Sequence, residues 1–303
     1  MIRLRPQTAA YGMLALVMLL WAGNSIVGRA VRDDIPPFLL ALLRWTGALL
    51  VITPFAVRHV VADRAAIVRN GPIILLLGLL GVAAFNAFLY SGLRYTTASN
   101  GLLLQAAIPA LVLLVDFAIF RARAGLGTIA GVALSTLGVV VIVFQGKLAA
   151  LAQVAFNRGD ALVLGGVAVW AFYTSLLRLR PALHATSFLA VTFAIGVLAM
   201  LPLAATEWRE IAAMDWTPRV IGAVVYVALL PSVVAYALFN AAVATLGPAS
   251  AGQAITLMPL FGALLAALIL GEQLHGHHFV GMTLILGGII VSAAVRARDA
   301  AAR

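Results

Sequence analysis

The sequence predicts an all-α integral membrane protein with ten transmembrane helices, arranged as two inverted five-helix repeats around a central cavity. The first observation is composition: 64% of the 303 residues are hydrophobic and only 10% are charged, whereas soluble domains carry about 25% charged residues. The second is that apolar residues form ten stretches of about 20, the length that spans a bilayer. The third is that the second half of the chain repeats the first with a shift of about 150 residues.

The ten apolar stretches are separated by short polar or Pro/Gly-containing turns, and no loop between them is long enough for a soluble domain. Each stretch can cross the hydrocarbon core as a helix. In chain order, the predicted spans lie near residues 10–30, 37–57, 72–93, 97–120, 126–145, 160–179, 186–206, 218–243, 248–271 and 277–296.

The repeat divides the chain close to its middle. Equivalent residues are Pro109 and Pro259, Gly131 and Gly281, Gly138 and Gly288, and Trp21 and Trp170. Because each half contains five spans, an odd number, the two halves enter the membrane in opposite senses. We therefore predict two repeats, residues 1–147 and 148–303, related by a pseudo-two-fold axis in the membrane plane.

The net charge of +10 is explained by membrane topology. With the N-terminus in the cytoplasm, most Lys and Arg residues fall in inner loops and most acidic residues in outer loops, as the positive-inside rule requires. This distribution argues against nucleic acid as a partner. The chain contains no cysteine, which excludes disulfides and thiolate chemistry.

Polar side chains within the spans indicate a pathway, because a hydrogen-bonding group that faces lipid is costly. Asn86 and Tyr90, like Tyr236 and Asn240, are spaced to share one helix face. The alternative for any single residue is a hydrogen bond between helices, which Ser, Thr, Asn and Gln commonly supply in membranes. The candidate substrate-binding residues are Trp21, Asn24, Arg44, Asn86, Tyr90, Asn100, Gln105, Trp170, Tyr173, Tyr236, Asn240 and Gln253.

Two tryptophans and one arginine stand out among these candidates. Trp21 and Trp170 lie near the middle of spans one and six, away from the interface where tryptophan usually occurs, so we expect them to line the cavity. Arg44 lies deep within span two, and burying it without a partner is costly. Three partners are open to it: Asp116, the only acidic residue in the interior of a span; a substrate carboxylate; or backbone carbonyls.

Several strings carry a family resemblance: Trp21-Ala22-Gly23-Asn24-Ser25, Pro37-Phe38-Leu39-Leu40-Ala41-Leu42-Leu43-Arg44, Tyr95-Thr96-Thr97-Ala98-Ser99-Asn100, Gly247-Pro248-Ala249-Ser250 and Leu270-Gly271-Glu272. The chain resembles EamA-type transporters of the drug/metabolite transporter superfamily over nearly its whole length. The first two strings are similar to those of YddG-like bacterial exporters of aromatic amino acids and related metabolites. With the charge pattern, the resemblance implies a multi-pass protein of the bacterial inner (plasma) membrane with cytoplasmic termini.

Proline positions indicate where the spans bend. Pro109 and Pro259 interrupt spans four and nine at equivalent positions, so we expect matched kinks that act as gates. The sequence departs from the family at the end of span four, where Phe120-Arg121-Ala122 replaces the frequent Gly-Glu pair. Only Glu272 remains, so a role for it in symmetric gating is in doubt.

These observations predict a secondary exporter of small amphipathic metabolites, with aromatic or hydrophobic amino acids first, working by alternating access. The alternative is efflux of lipophilic cations, drugs or other metabolites. An enzyme is not expected, because no histidine lies in the interior of a span and Asp116 has no acidic partner. We expect no cofactor and no metal, since His275, His277 and His278 lie in a short turn that enforces no ligand geometry. The expected partners are the substrate and the bilayer, and a monomer would suffice.

Overall fold

The computed structural model describes residues 6–31, 33–93, 95–96, 104–147, 157–270 and 273–301, and all regular secondary structure in these ranges is helical. We number the long helices in chain order. Helices α1 to α5 are Pro6–Ala30, Pro37–Arg69, the consecutive segments Gly71–Gly78, Leu79–Ala84 and Phe85–Leu93, then Ile108–Phe120 and Leu126–Val143. Helices α6 to α10 are Arg158–Leu176, Ala185–Ala205, the segments Pro218–Ala228, Leu229–Val234 and Ala235–Leu246, the segments Pro248–Ala254 and Leu257–Leu270, then Gly276–Ala301.

Nine helices in the described ranges have the length and hydropathy expected of membrane spans. The exception among α1 to α10 is α4, whose 13 residues follow a stretch of chain outside the described ranges. The predicted class, an all-α membrane protein, is therefore confirmed. The tenth span and the inverted arrangement stay predictions.

Local sequence explains where several helices begin and end. Pro37, Pro218 and Pro248 occupy the first turn of α2, α8 and α9, where a missing N–H costs no hydrogen bond. At the start of α6, Asn157 accepts the backbone N–H of Asp160, and the Asp160 carboxylate accepts that of Asn157. This reciprocal cap satisfies N–H groups that have no partner within the helix.

The helices pack in matched pairs. Helix α1 packs against α8 and α9, and α6 packs against α3 and α4. Helix α2 packs against α7 and α8, α7 packs against α2 and α3, and α5 packs against α10. Each helix of the first half has a counterpart in the second, α1 in α6, α2 in α7 and so on to α5 in α10. Replacing every helix by its counterpart gives the same set of contacts, which is the pattern expected of two repeated halves.

Helices α5 and α10 approach each other closely through four glycines, which we call the glycine seam: Gly131, Gly138, Gly281 and Gly288. A Cβ on Gly131 would lie 2.4 Å from the Gly288 carbonyl oxygen, and one on Gly138 would lie 2.6 Å from that of Gly281. As one residue number rises the partner's falls, so the two helices are antiparallel. Small residues permit such close packing in membranes.

The interface between α2 and α7 is also antiparallel. At one end the Glu207 carboxylate accepts the backbone N–H groups of Phe38 and Leu39, at 2.9 and 3.0 Å. At the other end the Asp63 carboxylate accepts the N–H of His184 at 2.9 Å. Each acid thus caps the N-terminus of a helix in the opposite half, where negative charge is favourable.

Two six-residue π-helical segments interrupt α3 and α8, at Leu79–Ala84 and Leu229–Val234. They start 150 residues apart, the period of the sequence repeat. Pro231 lies in the second segment and has no N–H to donate, and Gly81 is its equivalent in the first. Segments of this kind recur at functional sites, because the regular hydrogen-bond ladder is locally broken.

The predicted interruptions at Pro109 and Pro259 are confirmed. A turn at Ala106-Ala107 precedes the helix that contains Pro109, and a turn at residues 255–256 precedes the helix that contains Pro259. Whether these breaks act as gates remains a prediction.

Candidate functional site

Eight aromatic side chains from both halves of the chain form one contact network, which we call the aromatic cluster. Trp21 and Trp170 lie with ring centroids 5.2 Å apart in an edge-to-face arrangement. Trp45 meets Tyr236 in the same arrangement, also at 5.2 Å. Such contacts stabilise beyond simple burial. The members of the cluster are Trp21, Trp45, Phe85, Trp170, Tyr173, Phe193, Tyr236 and Phe239.

The two tryptophans contact each other instead of lining the open cavity that the sequence predicts. Both are buried, Trp21 with 8% and Trp170 with 3% of its surface exposed. A cavity of about 10 Å³ lies elsewhere, between Gln105, Val139 and Pro259, beside the breaks in α4 and α9. That is room for about one water molecule and not for an amino acid. In this structure aromatic rings occupy the space between the halves.

Each π-helical segment accepts a hydrogen bond from an aromatic side chain of the opposite half. The Trp21 indole N–H donates to the carbonyl oxygen of Pro231 at 3.0 Å. The Tyr236 hydroxyl donates to the carbonyl oxygen of Gly81 at 2.6 Å. Because residues 81 and 231 are equivalent in the repeat, the cluster is held to both halves in the same way.

Arg44 is buried, with 5% of its surface exposed, and binds α8. Its Nε donates to the Ser232 hydroxyl at 2.6 Å and its terminal nitrogen to the Pro231 carbonyl at 3.4 Å. The guanidinium carbon lies 4.6 Å from the ring centroid of Trp45. Contact with a backbone carbonyl was one of the three sequence-based alternatives for Arg44, and within the described residues no acid pairs with it.

The alternative pairing of Arg44 with Asp116 is wrong, because Asp116 binds α6. Its carboxylate accepts Arg178 at 2.5 Å and also the Ser175 hydroxyl. Arg178 reaches it because a short 3₁₀ turn, Leu177–Leu179, continues α6 towards the end of α4. At the opposite end of α6, the Asp160 carboxylate accepts the Thr96 hydroxyl. Helix α6 is thus tied at both ends to residues of the opposite half.

The other predicted polar residues separate into three environments. Tyr173 donates to Asn240 Oδ1 at 3.0 Å, and both side chains adjoin the aromatic cluster. Asn86 donates to a carbonyl of its own helix, that of Val82. Gln253 donates to Ser135 Oγ and the Gly288 carbonyl, so it joins α9 to the glycine seam instead of facing the cluster.

Of the remaining predicted residues, Asn24 is half-buried in α1, less than one turn beyond Trp21. Asn100, Glu272 and the side chain of Tyr90 lie outside the described residues.

Several buried polar atoms of the described residues have no hydrogen-bond partner. Three N–H donors are among them: the indoles of Trp45 and Trp170 and the Asn240 Nδ2 group. A buried donor without a partner costs about 1–3 kcal/mol, so native proteins rarely keep one without a reason. Other such atoms include Thr174 Oγ1 and Gln253 Oε1.

Sequence reasoning missed part of the site because it selected polar residues. Trp45, Phe193 and Phe239 are buried in the cluster with 0% exposure, yet an aromatic residue within an apolar span carries no polarity signal. A usable signal was available for Trp45, since it directly follows Arg44. Nothing in the sequence connects Ser232 with Arg44, 188 positions away.

The sequence profile of the EamA-like transporter family matches residues 8–144 and 157–294. An uncharacterized transporter of Archaeoglobus fulgidus is 29% identical over 286 residues, covering 93% of this chain and 96% of that protein. A probable amino-acid metabolite efflux pump of Salmonella typhimurium is 27% identical over 296 residues, covering 93% and 94%. A solved crystal structure with 19% identity matches with a TM-score of 0.71, covering 96% of this chain and 98% of the other, which shows a shared fold.

Proposed function

Because the chain belongs to the EamA-like transporter family of the drug/metabolite transporter superfamily, we propose that it is a secondary exporter of small amphipathic metabolites. Aromatic and hydrophobic amino acids are the first substrates we assign to it. The family is one of membrane transporters and not of enzymes. The relative from Salmonella typhimurium, named a probable amino-acid metabolite efflux pump, supports this choice of substrate.

The proposed mechanism is alternating access between two inverted halves of five spans, residues 1–147 and 148–303. The antiparallel glycine seam and the matched packing partners of α1 to α10 support it. An inverted pair of halves can adopt two related conformations that open to opposite sides of the membrane. We place both termini in the cytoplasm and the chain in the bacterial inner membrane, following the charge distribution.

One observation carries the position of the substrate site. Trp21 and Trp170, which are equivalent in the repeat, contact each other between the two π-helical segments. In transporters built from inverted repeats, the substrate site lies at the interface between the repeats. The aromatic cluster supplies flat apolar surfaces there, and the flanking carbonyls and N–H groups supply polar contacts. In this conformation the site is closed around its own side chains.

The test is substrate flux in proteoliposomes that contain only this protein. We expect saturable counterflow of labelled phenylalanine and leucine. Trp170→Ala should reduce it by about tenfold or more, the effect of losing roughly 1.4 kcal/mol of binding. Trp208→Ala is the matched control, because Trp208 is exposed on a short helix and should leave flux within about twofold.

The outcomes separate the proposal from its alternatives. Flux of lipophilic cations without flux of amino acids would move the protein to the efflux of cations or drugs. No flux across amino acids, amines and polyamines, in vesicles shown to contain folded protein, would overturn the exporter assignment.

A further inference from the structure

The aromatic cluster contains three buried N–H donors that have no partner among the described residues. They are the indole N–H groups of Trp45 and Trp170 and the Nδ2 group of Asn240. All three side chains are at least nine-tenths buried, with 0%, 3% and 4% exposure. Donors kept from both water and protein acceptors destabilise the protein unless something else accepts from them.

These donors belong to one neighbourhood. The Tyr236 ring contacts those of Trp45 and Trp170, with centroids 5.2 and 6.1 Å away. Asn240 lies one turn after Tyr236 in α8 and accepts the hydroxyl of Tyr173, whose ring contacts Trp170 at 5.2 Å. Because Tyr173 occupies the amide oxygen of Asn240, the amide N–H₂ group remains to serve another acceptor.

The same neighbourhood carries an unneutralised positive charge. The guanidinium of Arg44 lies against the Trp45 ring and donates to two neutral groups, the Ser232 hydroxyl and the Pro231 carbonyl. Asp116 is engaged by Arg178 and leaves Arg44 without an acid within the described part of the chain. A buried cation of this kind in a membrane protein favours an anion beside it.

From the three unpaired donors and the buried cation, we propose that the aromatic cluster binds the carboxylate of the substrate. Trp170 and Asn240 donate to its oxygens, Trp45 serves as a further donor, and Arg44 supplies the favourable charge. A carboxylate accepts several hydrogen bonds at once and takes charge-assisted bonds readily. Tyr173 is a positioning residue that fixes the orientation of the Asn240 amide. The rings of Trp21, Phe239 and Phe85 are then available for the apolar part of the substrate.

This inference rests on the proposed function and narrows it to a substrate class. The carboxylate, and not the amino group, should be the feature that the cluster requires. A small aryl or alkyl carboxylic acid without an amine should therefore bind, and the matching amine without a carboxylate should bind much more weakly. Cationic substrates are disfavoured by Arg44.

Three probes of nearly equal size test the proposal: phenylalanine, 3-phenylpropionate and phenethylamine. Binding is measured by thermal shift of the purified protein and by competition with phenylalanine counterflow. We expect phenylalanine and 3-phenylpropionate to bind, and phenethylamine to bind at least about tenfold more weakly. Trp170→Phe keeps an aromatic ring but removes the N–H. It should weaken the binding of both acids by about tenfold, the equivalent of one charge-assisted hydrogen bond.

A second variant keeps the test independent of packing at Trp170. Asn240→Asp retains the size of the side chain but places a second carboxylate beside the proposed position of the ligand carboxylate. It should weaken the binding of 3-phenylpropionate more than Trp170→Phe does, and should strengthen the binding of phenethylamine. Trp208→Phe, on the exposed short helix, is the control and should change neither. Size-exclusion profiles and unliganded Tm values establish that each variant is folded.

Two results would overturn the carboxylate site. One is that phenethylamine binds as tightly as 3-phenylpropionate; the other is that neither Trp170→Phe nor Asn240→Asp changes the binding of the acids. Phenylalanine counterflow that 3-phenylpropionate does not inhibit would leave the exporter standing and remove the proposed site. Binding of the acids without flux of any amino acid would support the carboxylate site and overturn the exporter assignment.

Discussion

The glycine seam and the aromatic cluster both join the two halves of the chain, and they are built in opposite ways. At the seam the backbones of α5 and α10 come into direct contact. The serine hydroxyls there have acceptors on the facing helix: Ser135 donates to the Ile285 carbonyl and Ser292 to that of Thr128. In the cluster, large rings separate the helices. Three N–H donors there have no partner, and two helices are interrupted by π-helical segments.

This difference separates a permanent contact from a changeable one. A seam of glycines and serines has no large side chain that can be displaced, and opening it would lose the close backbone packing and the hydrogen bonds of Ser135 and Ser292. Rings around unpaired donors gain hydrogen bonds when a ligand enters between them. We therefore assign the seam to holding the halves together and the cluster to their relative motion around the substrate.

The largest stability effect is expected at the seam, from Gly288→Ala. The new Cβ would lie 2.4 Å from the Gly131 carbonyl oxygen and 2.7 Å from the Ser135 nitrogen, which are backbone atoms that cannot move aside alone. We expect a loss of about 2–3 kcal/mol, as overpacking of a close contact produces. Thermal unfolding of the detergent-solubilised protein measures it.

The adjacent Gly287 is the matched control on the same helix. A Cβ there meets only the Leu134 side chain at 3.7 Å, an ordinary contact. Gly287→Ala should leave stability within about 0.5 kcal/mol. Equal Tm losses in the two variants would show that α5 and α10 do not form a close backbone contact.

A smaller effect is expected where α4 meets α6, a contact held by charge. Asp116→Ala removes the ion pair of Arg178 and the shorter hydrogen bond of the Ser175 hydroxyl, which keeps only the Val112 carbonyl at 3.4 Å. Because 31% of the Arg178 side chain is exposed and its charge can reach water, the loss should be about 1–2 kcal/mol, below the 3–5 kcal/mol typical of a fully buried pair. Urea unfolding of the variants measures it.

Removing both charges tests whether the loss of stability comes from the unpaired charge of Arg178 or from the lost packing of the Asp116 side chain. Asp116→Ala with Arg178→Met should recover most of the loss. The exposed pair of Asp34 and Arg219, 3.8 Å apart, is the control, and Asp34→Ala should cost less than about 0.5 kcal/mol. A loss at Asp34 equal to that at Asp116 would contradict the distinction.

Much of the fold follows from sequence because lipid imposes simple requirements. Apolar stretches gave the long helices, and paired glycines such as Gly131 and Gly281 recur because each must let a backbone approach. The π-helical segments were not predicted. Pro231 marks one of them, but Gly81 at the equivalent position carries no comparable signal, since glycine is common in membrane helices.

Several members of the aromatic cluster were among the predicted residues, but the contacts that connect them were not predicted. Trp21, Trp170, Tyr173, Tyr236 and Asn240 were selected, and the structure brings them together. The partners of charged residues were not predictable, because they depend on packing between distant segments. The predicted sixth span, residues 160–179, contains Arg178, but no pattern in the sequence shows that this side chain meets Asp116.

The smallest effects are expected from two neighbouring hydroxyls in α6, and they test the comparison most directly. Thr174 and Ser175 are both fully buried, with 0% exposure. Thr174 Oγ1 has no hydrogen-bond partner, whereas Ser175 donates to Asp116. Ser175→Ala should therefore cost about 1 kcal/mol, while Thr174→Val should raise stability by up to about 1 kcal/mol, since it removes an unsatisfied polar atom.

Differential scanning fluorimetry on both variants measures the two shifts, which should have opposite signs. If Thr174→Val lowers Tm as much as Ser175→Ala, the Thr174 hydroxyl has an acceptor or a water molecule in the membrane. The same explanation would then extend to the unpaired donors of Trp170 and Asn240, and the contrast between seam and cluster would lose its physical basis. Opposite shifts would mean that α6 keeps unsatisfied polar groups beside the cluster, at a cost to stability that a ligand can offset.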